Sequence, residues 1–253
     1  NMSTYFQLTS QTKIFESMIQ NLSVFTPNIR ITIYPDMCVM DAVNESQTSL
    51  TKINLTKEWF NVYNVDTEFS VIVNTSILYK IIHVLDTNFP IKVILSTSDL
   101  VVEGKSTQSD VIYTIPSLTI DIPIIDVPDD IEYAVDISMN SKTLCNILDH
   151  LLIIGETCSI HIKEDSMLFA TNGDYGSTKI DLTIDELNSY VVEENIDLQL
   201  TYHLKLLHIV SLYHKSSELV DIHIGEDKPL MIQYNMDHKS FIRFMIAPKI
   251  NED

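Results

Sequence analysis

Apolar residues recur at helical spacing near the start of the chain, where Ile14, Phe15, Met18, Ile19 and Leu22 share one face of a 3.6-residue period. The spacing predicts an amphipathic helix following a short strand. A second helix is predicted from Asn74-Thr75-Ser76, burying Ile77, Leu78, Ile81, Ile82 and Leu85. A third has Leu144, Ile147, Leu148 and Leu151 inward, with Asn140-Ser141 suited to cap its start and Gly155 to stop it. A fourth runs from about His203 with Leu204, Leu207 and Val210 inward. Alternation of apolar and polar positions predicts strands at 29–33, 91–95, 159–162 and 220–224, and Gly173 with Gly176 reads as a turn between strands.

The same pattern occurs twice. Residues 6–22 align with 135–151, pairing Leu8 with Ile137, Phe15 with Leu144, Met18 with Ile147, Ile19 with Leu148 and Leu22 with Leu151. The offset is about 129 positions, the mark of a duplicated unit. It continues through Ile31 and Ile33, which match Ile160 and Ile162, and through Asp36, Val39 and Met40, which match Asp165, Leu168 and Phe169. Lys52-Ile53-Asn54-Leu55 then matches Lys179-Ile180-Asp181-Leu182. The fold class is therefore α+β. Two topologically similar domains are expected at 1–115 and 132–253, joined by a connecting loop at 116–131.

That connecting loop contains Pro116, Pro123 and Pro128, which rule out a regular helix or a central strand. It carries several isoleucines, and residues 117–132 hold five acidic residues and no Lys or Arg. Two readings stand: a linker packed on its own domains, or a docking surface.

Charge narrows the function. The formal net charge is −19, from 16 Lys and Arg against 35 Asp and Glu, which by itself argues against a nucleic-acid binder. The positions of the few basic residues therefore matter more than their number. Three cysteines, Cys38, Cys145 and Cys158, lack metal-ligand spacing and read as reduced, mostly buried thiols. No apolar run is long enough to span a bilayer, and no basic segment followed by an apolar stretch opens the chain. The four Asn-x-Ser/Thr sequons at Asn21, Asn44, Asn54 and Asn74 carry little weight without such a signal. No nucleophile–base arrangement or nucleotide-binding motif is visible, so no catalysis, cofactor or metal is expected.

Three stretches carry a family resemblance. The run Lys228-Pro229-Leu230-Met231-Ile232-Gln233-Tyr234, followed by Phe241 to Ile250 with its Ala247-Pro248-Lys249-Ile250 tail, closely resembles the end of proliferating cell nuclear antigens. Ile154-Gly155-Glu156 and Phe169-Ala170-Thr171-Asn172-Gly173-Asp174-Tyr175-Gly176 resemble the family's passage from a helix end to a Gly loop. Met40-Asp41 with Ser49-Leu50 is a third match, and the resemblance covers the whole chain in order. It implies a DNA sliding clamp: a processivity factor for replication and repair, ringing duplex DNA, with sheets outside and two helices per domain lining the hole. The implied assembly is a homotrimer, and the implied place is the nucleus, or a cytoplasmic viral replication site for a viral member. The implied partners are duplex DNA, a clamp loader, and DNA polymerase and other clients with short hydrophobic peptide motifs, with no membrane.

The resemblance also assigns residues. Lys13, Lys80, His83, Lys142, Lys205, His208 and Lys215 would face DNA, and the four helix faces hold five lysines against two carboxylates. Glu16 and Ser17 replace a basic pair of the family, and Asn146 and Asp149 replace arginines. Met40, Leu50, Ile125, Val127, Pro229, Met245, Ile246, Ala247 and Pro248 would form the pocket for client peptides. Edge pairing between subunits would use Val111, Tyr113 and Ile115 on one side and Tyr190, Val191 and Val192 on the other. The competing readings are a subunit of a heterotrimeric checkpoint-type clamp, a monomeric clamp relative, and a metal-dependent hydrolase using Asp126, Asp129 and Asp130.

Overall fold

One order of elements runs through the chain twice. In the first pass it reads β1 (Tyr5–Leu8), α1 (Thr12–Phe25), β2 (Asn28–Ile33), β3 (Met37–Val43), β4 (Ser49–Thr56), β5 (Val62–Asn64), β6 (Phe69–Asn74), α2 (Thr75–Val84), β7 (Ile91–Leu95), β8 (Asp99–Ser106) and β9 (Ser109–Pro116). In the second it reads β10 (Val135–Asn140), α3 (Ser141–Leu152), β11 (Thr157–Lys163), β12 (Ser166–Gly173), β13 (Gly176–Leu182), β14 (Ser189–Val192), β15 (Asp197–His203), α4 (Leu204–Ser211), β16 (Leu219–Ile224), β17 (Leu230–Asn235) and β18 (Phe241–Ile246). This computed structural model describes residues 4–124, 128 and 130–249. It divides into two compact units: the N-terminal half together with Met236–Ile242, and the C-terminal half up to Asn235 together with the residues from Arg243 on.

Each unit sets antiparallel strands against a helix pair. In the first, β5-β1-β7-β8-β9 lie side by side in that order, as do β4-β3-β2-β6. In the second the matching orders are β14-β10-β16-β17-β18 and β13-β12-β11-β15. Registers repeat as well. Ile31 pairs with Val71 across β2 and β6, and Ile160 pairs with Leu200 across β11 and β15, the same offset of about 129 in both strands.

Local sequence explains most element boundaries. Asn74 Oδ1 accepts the Ile77 N–H at 3.0 Å, and Asn140 Oδ1 accepts the Thr143 N–H at 3.0 Å, so α2 and α3 have side-chain caps. The buried stripe of α1 is Phe15, Met18, Ile19, Leu22 and Phe25, as the period requires. Phe6, Phe15, Trp59 and Phe60 form an aromatic cluster in the first core, with ring centroids 4.6 to 6.5 Å apart. In the second core Tyr213 stacks between Tyr234 and Phe244, and the Tyr234 hydroxyl donates to the Val210 carbonyl at 3.0 Å. Burying each such ring stabilises the fold by about 2–3 kcal/mol.

Two expectations change. Ile77 is 45 % exposed, because α2 packs on α1 and the sheet from one side only and Ile77 lies past the edge of that stripe. Gly155 does not end α3 through a left-handed turn. It allows close backbone approach: a Cβ there would lie 2.0 Å from Thr171 Oγ1 and 2.8 Å from the Asn172 carbonyl oxygen. Gly173 faces the same contact, with its Cβ position 1.9 Å from the Ile154 carbonyl oxygen. Gly176 does adopt positive φ, at 140°, in the β12–β13 turn.

Two sheet edges are closed by the chain's own segments. Beyond β9, Ser117 Oγ accepts the Ile72 N–H at 3.0 Å and the Leu118 N–H donates to the Ile72 carbonyl at 2.8 Å, covering β6. In the second unit the Lys249 N–H donates to the Thr201 carbonyl at 2.7 Å, covering β15 at the equivalent place. Covered edges are less open to unwanted pairing.

Candidate functional site

The helix pairs come first, because they carry the concentrated basic charge. α1 and α2 run antiparallel: the Thr75 hydroxyl donates to the Thr26 carbonyl at 2.6 Å, which ties the start of α2 to the end of α1. Lys13, Lys80 and His83 are exposed on that pair, and Lys142, Lys205 and Lys215 are exposed on the second, with His208 half-buried. The predicted DNA-facing residues other than Lys215 therefore lie on α1 to α4, and Lys215, expected on the fourth helix, lies in a short turn beyond its end. The two carboxylates of these faces are engaged by imidazoles, Glu16 by His83 at 2.6 Å and Asp149 by His208 at 2.8 Å. His214, just past α4, is pushed below the usual imidazole range, first by burial and then by Lys142 and Lys215.

The linker side of the first unit holds a concavity of about 200 Å³ lined by Thr26, Pro27, Asn28, Val43, Asn44, Glu45, Gln47 and the linker residues Ile120 to Pro123. Arg30 anchors the linker by donating from its guanidinium to the Ile122 carbonyl, and Ile122 itself is 8 % exposed. Ile120 and Ile124 point outward, Ile124 at 78 % exposed. Ile122 thus packs on its own unit, as the first reading of the linker has it, while Ile120 and Ile124 are presented to solvent. Asn44 builds the opposing wall, its Oδ1 accepting the N–H groups of Thr48 and Ser49 at 2.9 and 2.8 Å. Below it Asp41 has its carboxyl raised by burial, against the opposing pull of Lys52 and Arg30.

The predicted pocket residues divide by burial. Met40 in the first unit and Met245 and Ile246 in the second are core side chains, each at most 3 % exposed. Leu50, Pro229 and Pro248 are half-buried and Ala247 is exposed. Ile125 and Val127 lie outside the described residues, as do Asp126 and Asp129. Among the described residues no group of three or more His, Cys, Asp or Glu is placed to hold a metal ion. Thr26 to Asn28 and Asn44 were not read from the sequence as lining. The alternation of Ile120, Ile122 and Ile124 was the signal for them, since one face of that run must rest on something.

The two predicted edges are both edges. β9 ends the β5-β1-β7-β8-β9 order and β14 ends the β14-β10-β16-β17-β18 order. Val111 and Tyr113 are half-buried and Ile115 is buried, while Ile112 between them faces out. On β14 Val191 is exposed, and the Tyr190 hydroxyl is occupied within its own unit, donating toward the Lys163 and Ser166 carbonyls at 2.6 and 3.1 Å. A third edge, longer than β14, was missed: β13, seven residues, with only β12 beside it. Its neighbourhood is apolar and open. Ile153 is 74 % and Tyr175 93 % exposed, and His150, Ile153, Ile154, Thr178 and Ile180 line a shallow hollow there. Thr178, Ile180 and Leu182 alternate in the sequence and gave the available signal.

Comparison with known proteins agrees with this architecture. Residues 126–249 match the family model described as proliferating cell nuclear antigen, C-terminal domain. A proliferating cell nuclear antigen from Chaetomium thermophilum is 26 % identical over 223 residues, covering 85 % of this chain and 86 % of the relative. A chain of the PCNA2–PCNA3 complex from Sulfolobus tokodaii superposes with a TM-score of 0.85 at 20 % identity, covering 97 % of this chain and 99 % of that one. With the duplicated fold and the order of its elements, these matches make the chain similar to the proliferating cell nuclear antigens, with the family's C-terminal domain matched over residues 126–249.

Proposed function

We propose that copies of this chain close into a homotrimeric ring around duplex DNA, with α1 to α4 turned to the duplex. The observation that carries this is the inverted charge of the helix faces: five exposed lysines against two carboxylates, in a chain of net charge −19. A clamp must hold DNA and still slide, so a small number of sequence-independent phosphate contacts suits it. Closed cyclic assembly pairs the same two strand edges at every junction of the ring. We place β9 at one side of each junction and β13, in preference to β14, at the other. β13 has seven residues to the eight of β9, where β14 has four. Its counterpart in the first unit, β4, is met at its end by the 238–240 segment, Thr56 bonding to Ser240 and His238. Light scattering tests the ring: the expected mass is three times the 28.9 kDa of the chain. A persistent monomer would sink the homotrimer and leave the mixed ring, a reading favoured by the solved relative being a complex of two different clamp subunits.

Clients, a DNA polymerase among them, are proposed to dock short hydrophobic peptides along the linker side of the first unit, where the Ile120–Pro123 concavity opens. Half-buried Leu50, paired with the lining residue Val43 in the same unit, is a further contact available to such a peptide. The role is non-catalytic, and the setting is DNA replication in the nucleus.

A further inference from the structure

Each helix pair carries one imidazole–carboxylate bridge on its solvent side. In the first unit His83 Nδ1, in the last turn of α2, lies 2.6 Å from Glu16 Oε1 on α1, and the Tyr79 ring sits 5.4 Å from the imidazole one turn earlier. In the second unit His208 Nε2 on α4 lies 2.8 Å from Asp149 Oδ1 on α3. The four residues are not repeat counterparts. At the shared offset of about 129, Glu16 falls on Cys145, Asp149 on Gln20, His83 on Leu212 and His208 on Tyr79. The two halves make the same cross-helix contact with different residues, so descent from one ancestral half does not account for it.

The chemistry of the pair is a charge that changes near neutral pH. Imidazole is the side chain that takes up a proton between about pH 5 and 8, and an adjacent carboxylate favours the charged ring. A bridge with a neutral imidazole carries one negative charge, and with an imidazolium it carries none. The other groups on these elements set the surrounding field. Near His83 they are Lys13 on α1 and Lys80 and Tyr79 on α2; near His208 they are Lys142 and His150 on α3, and Lys205 on α4. His203 and Glu156 at the start of α4, and His214 and Lys215 beyond its end, complete that set.

Taking α1 to α4 as the DNA-facing helices, we propose that the Glu16–His83 and Asp149–His208 bridges make the grip of this clamp on duplex DNA proton-dependent. Proton uptake at both bridges removes two negative charges per chain from the surface that meets the phosphates. DNA favours the protonated state, so binding takes up protons and the grip strengthens as pH falls. As pH rises the bridges recover their negative charge and contact rests on the lysines alone.

The test is fluorescence anisotropy of the full chain with a labelled duplex oligonucleotide, titrated with salt from about pH 8 down to about pH 6. The parent is expected to gain roughly one unit of log–log salt slope for each imidazole protonated. His83→Gln with His208→Gln should keep the shallow high-pH slope across the range. Glu16→Gln with Asp149→Asn, which opens the same bridges from the carboxylate side and removes their two negative charges, should bind more tightly than the parent at high pH. Circular dichroism establishes that each variant is folded, and the carboxylate variants decide the matter if the histidine variants are not. A histidine variant with the parent's pH dependence, or a carboxylate variant that binds no more tightly than the parent at high pH, would overturn the inference. Lys80→Glu with Lys205→Glu is the control: unaltered DNA binding in that variant at every pH would instead overturn the assignment of these helices to DNA.

Discussion

A methyl group at position 173 would lie 1.9 Å from the Ile154 carbonyl oxygen, and backbone cannot step aside as a side-chain tip can. Gly173→Ala is therefore expected to cost about 2–4 kcal/mol and lower the thermal midpoint by several degrees, as read by circular dichroism. The thiols are predicted to be silent. All three cysteines are buried, and burial pushes Cys38 and Cys158 up to about 12. Alkylation at about pH 8 should label none in the native chain and all three after unfolding; fast native labelling would contradict the buried placement. The core positions of α1, α3 and α4 were legible in the sequence because helical period alone decides them. Ile77 was not, since period says which residues share a face and not how far the neighbouring helix covers it. Gly155 was misread for a related reason: close approach between segments some twenty residues apart leaves no local pattern.

At the scale of elements, the helices and the order of strands followed from periodicity and repetition, and the helix faces are the surface proposed to meet DNA. Replacing Lys80, Lys205 and Lys215 with Glu should weaken association with duplex DNA and flatten its dependence on salt. An unchanged stimulation of polymerase processivity, in a variant that folds, would refute the role given to these faces. Edges were harder to read. β9 and β14 both proved to be edges, but the sequence did not single out β13, because an edge strand and an inner strand can share the same alternation. What separates them is the identity of the strand alongside, and that is decided by residues far away in the chain. The bridges Glu16–His83 and Asp149–His208 were hidden in the same way, each partner being 59 or more positions from the other.

For the whole molecule the decisive surface is where the linker leaves the first unit. Ile125→Ser with Val127→Ser is expected to abolish binding of a peptide bearing Gln, an aliphatic residue and two aromatics at one-turn spacing. The ring should stay intact, and parent affinity should be about micromolar, because only a few anchors are buried. Calorimetry on the folded double variant decides it, and surviving binding would move the clients elsewhere. If clients dock in the first-unit concavity as proposed, the glycine contact of the second unit sets how many of them one clamp can seat. Thr26 and Asn44, which wall the concavity, have Gly155 and Gly173 as their repeat counterparts, and there the two backbones meet with no room for a methyl group. Where the first unit has a concavity, the second has backbone packed against backbone. A ring of three such chains would offer three berths and not six, so two enzymes working from one ring would have to occupy different subunits, and a fourth would have to wait for a vacancy.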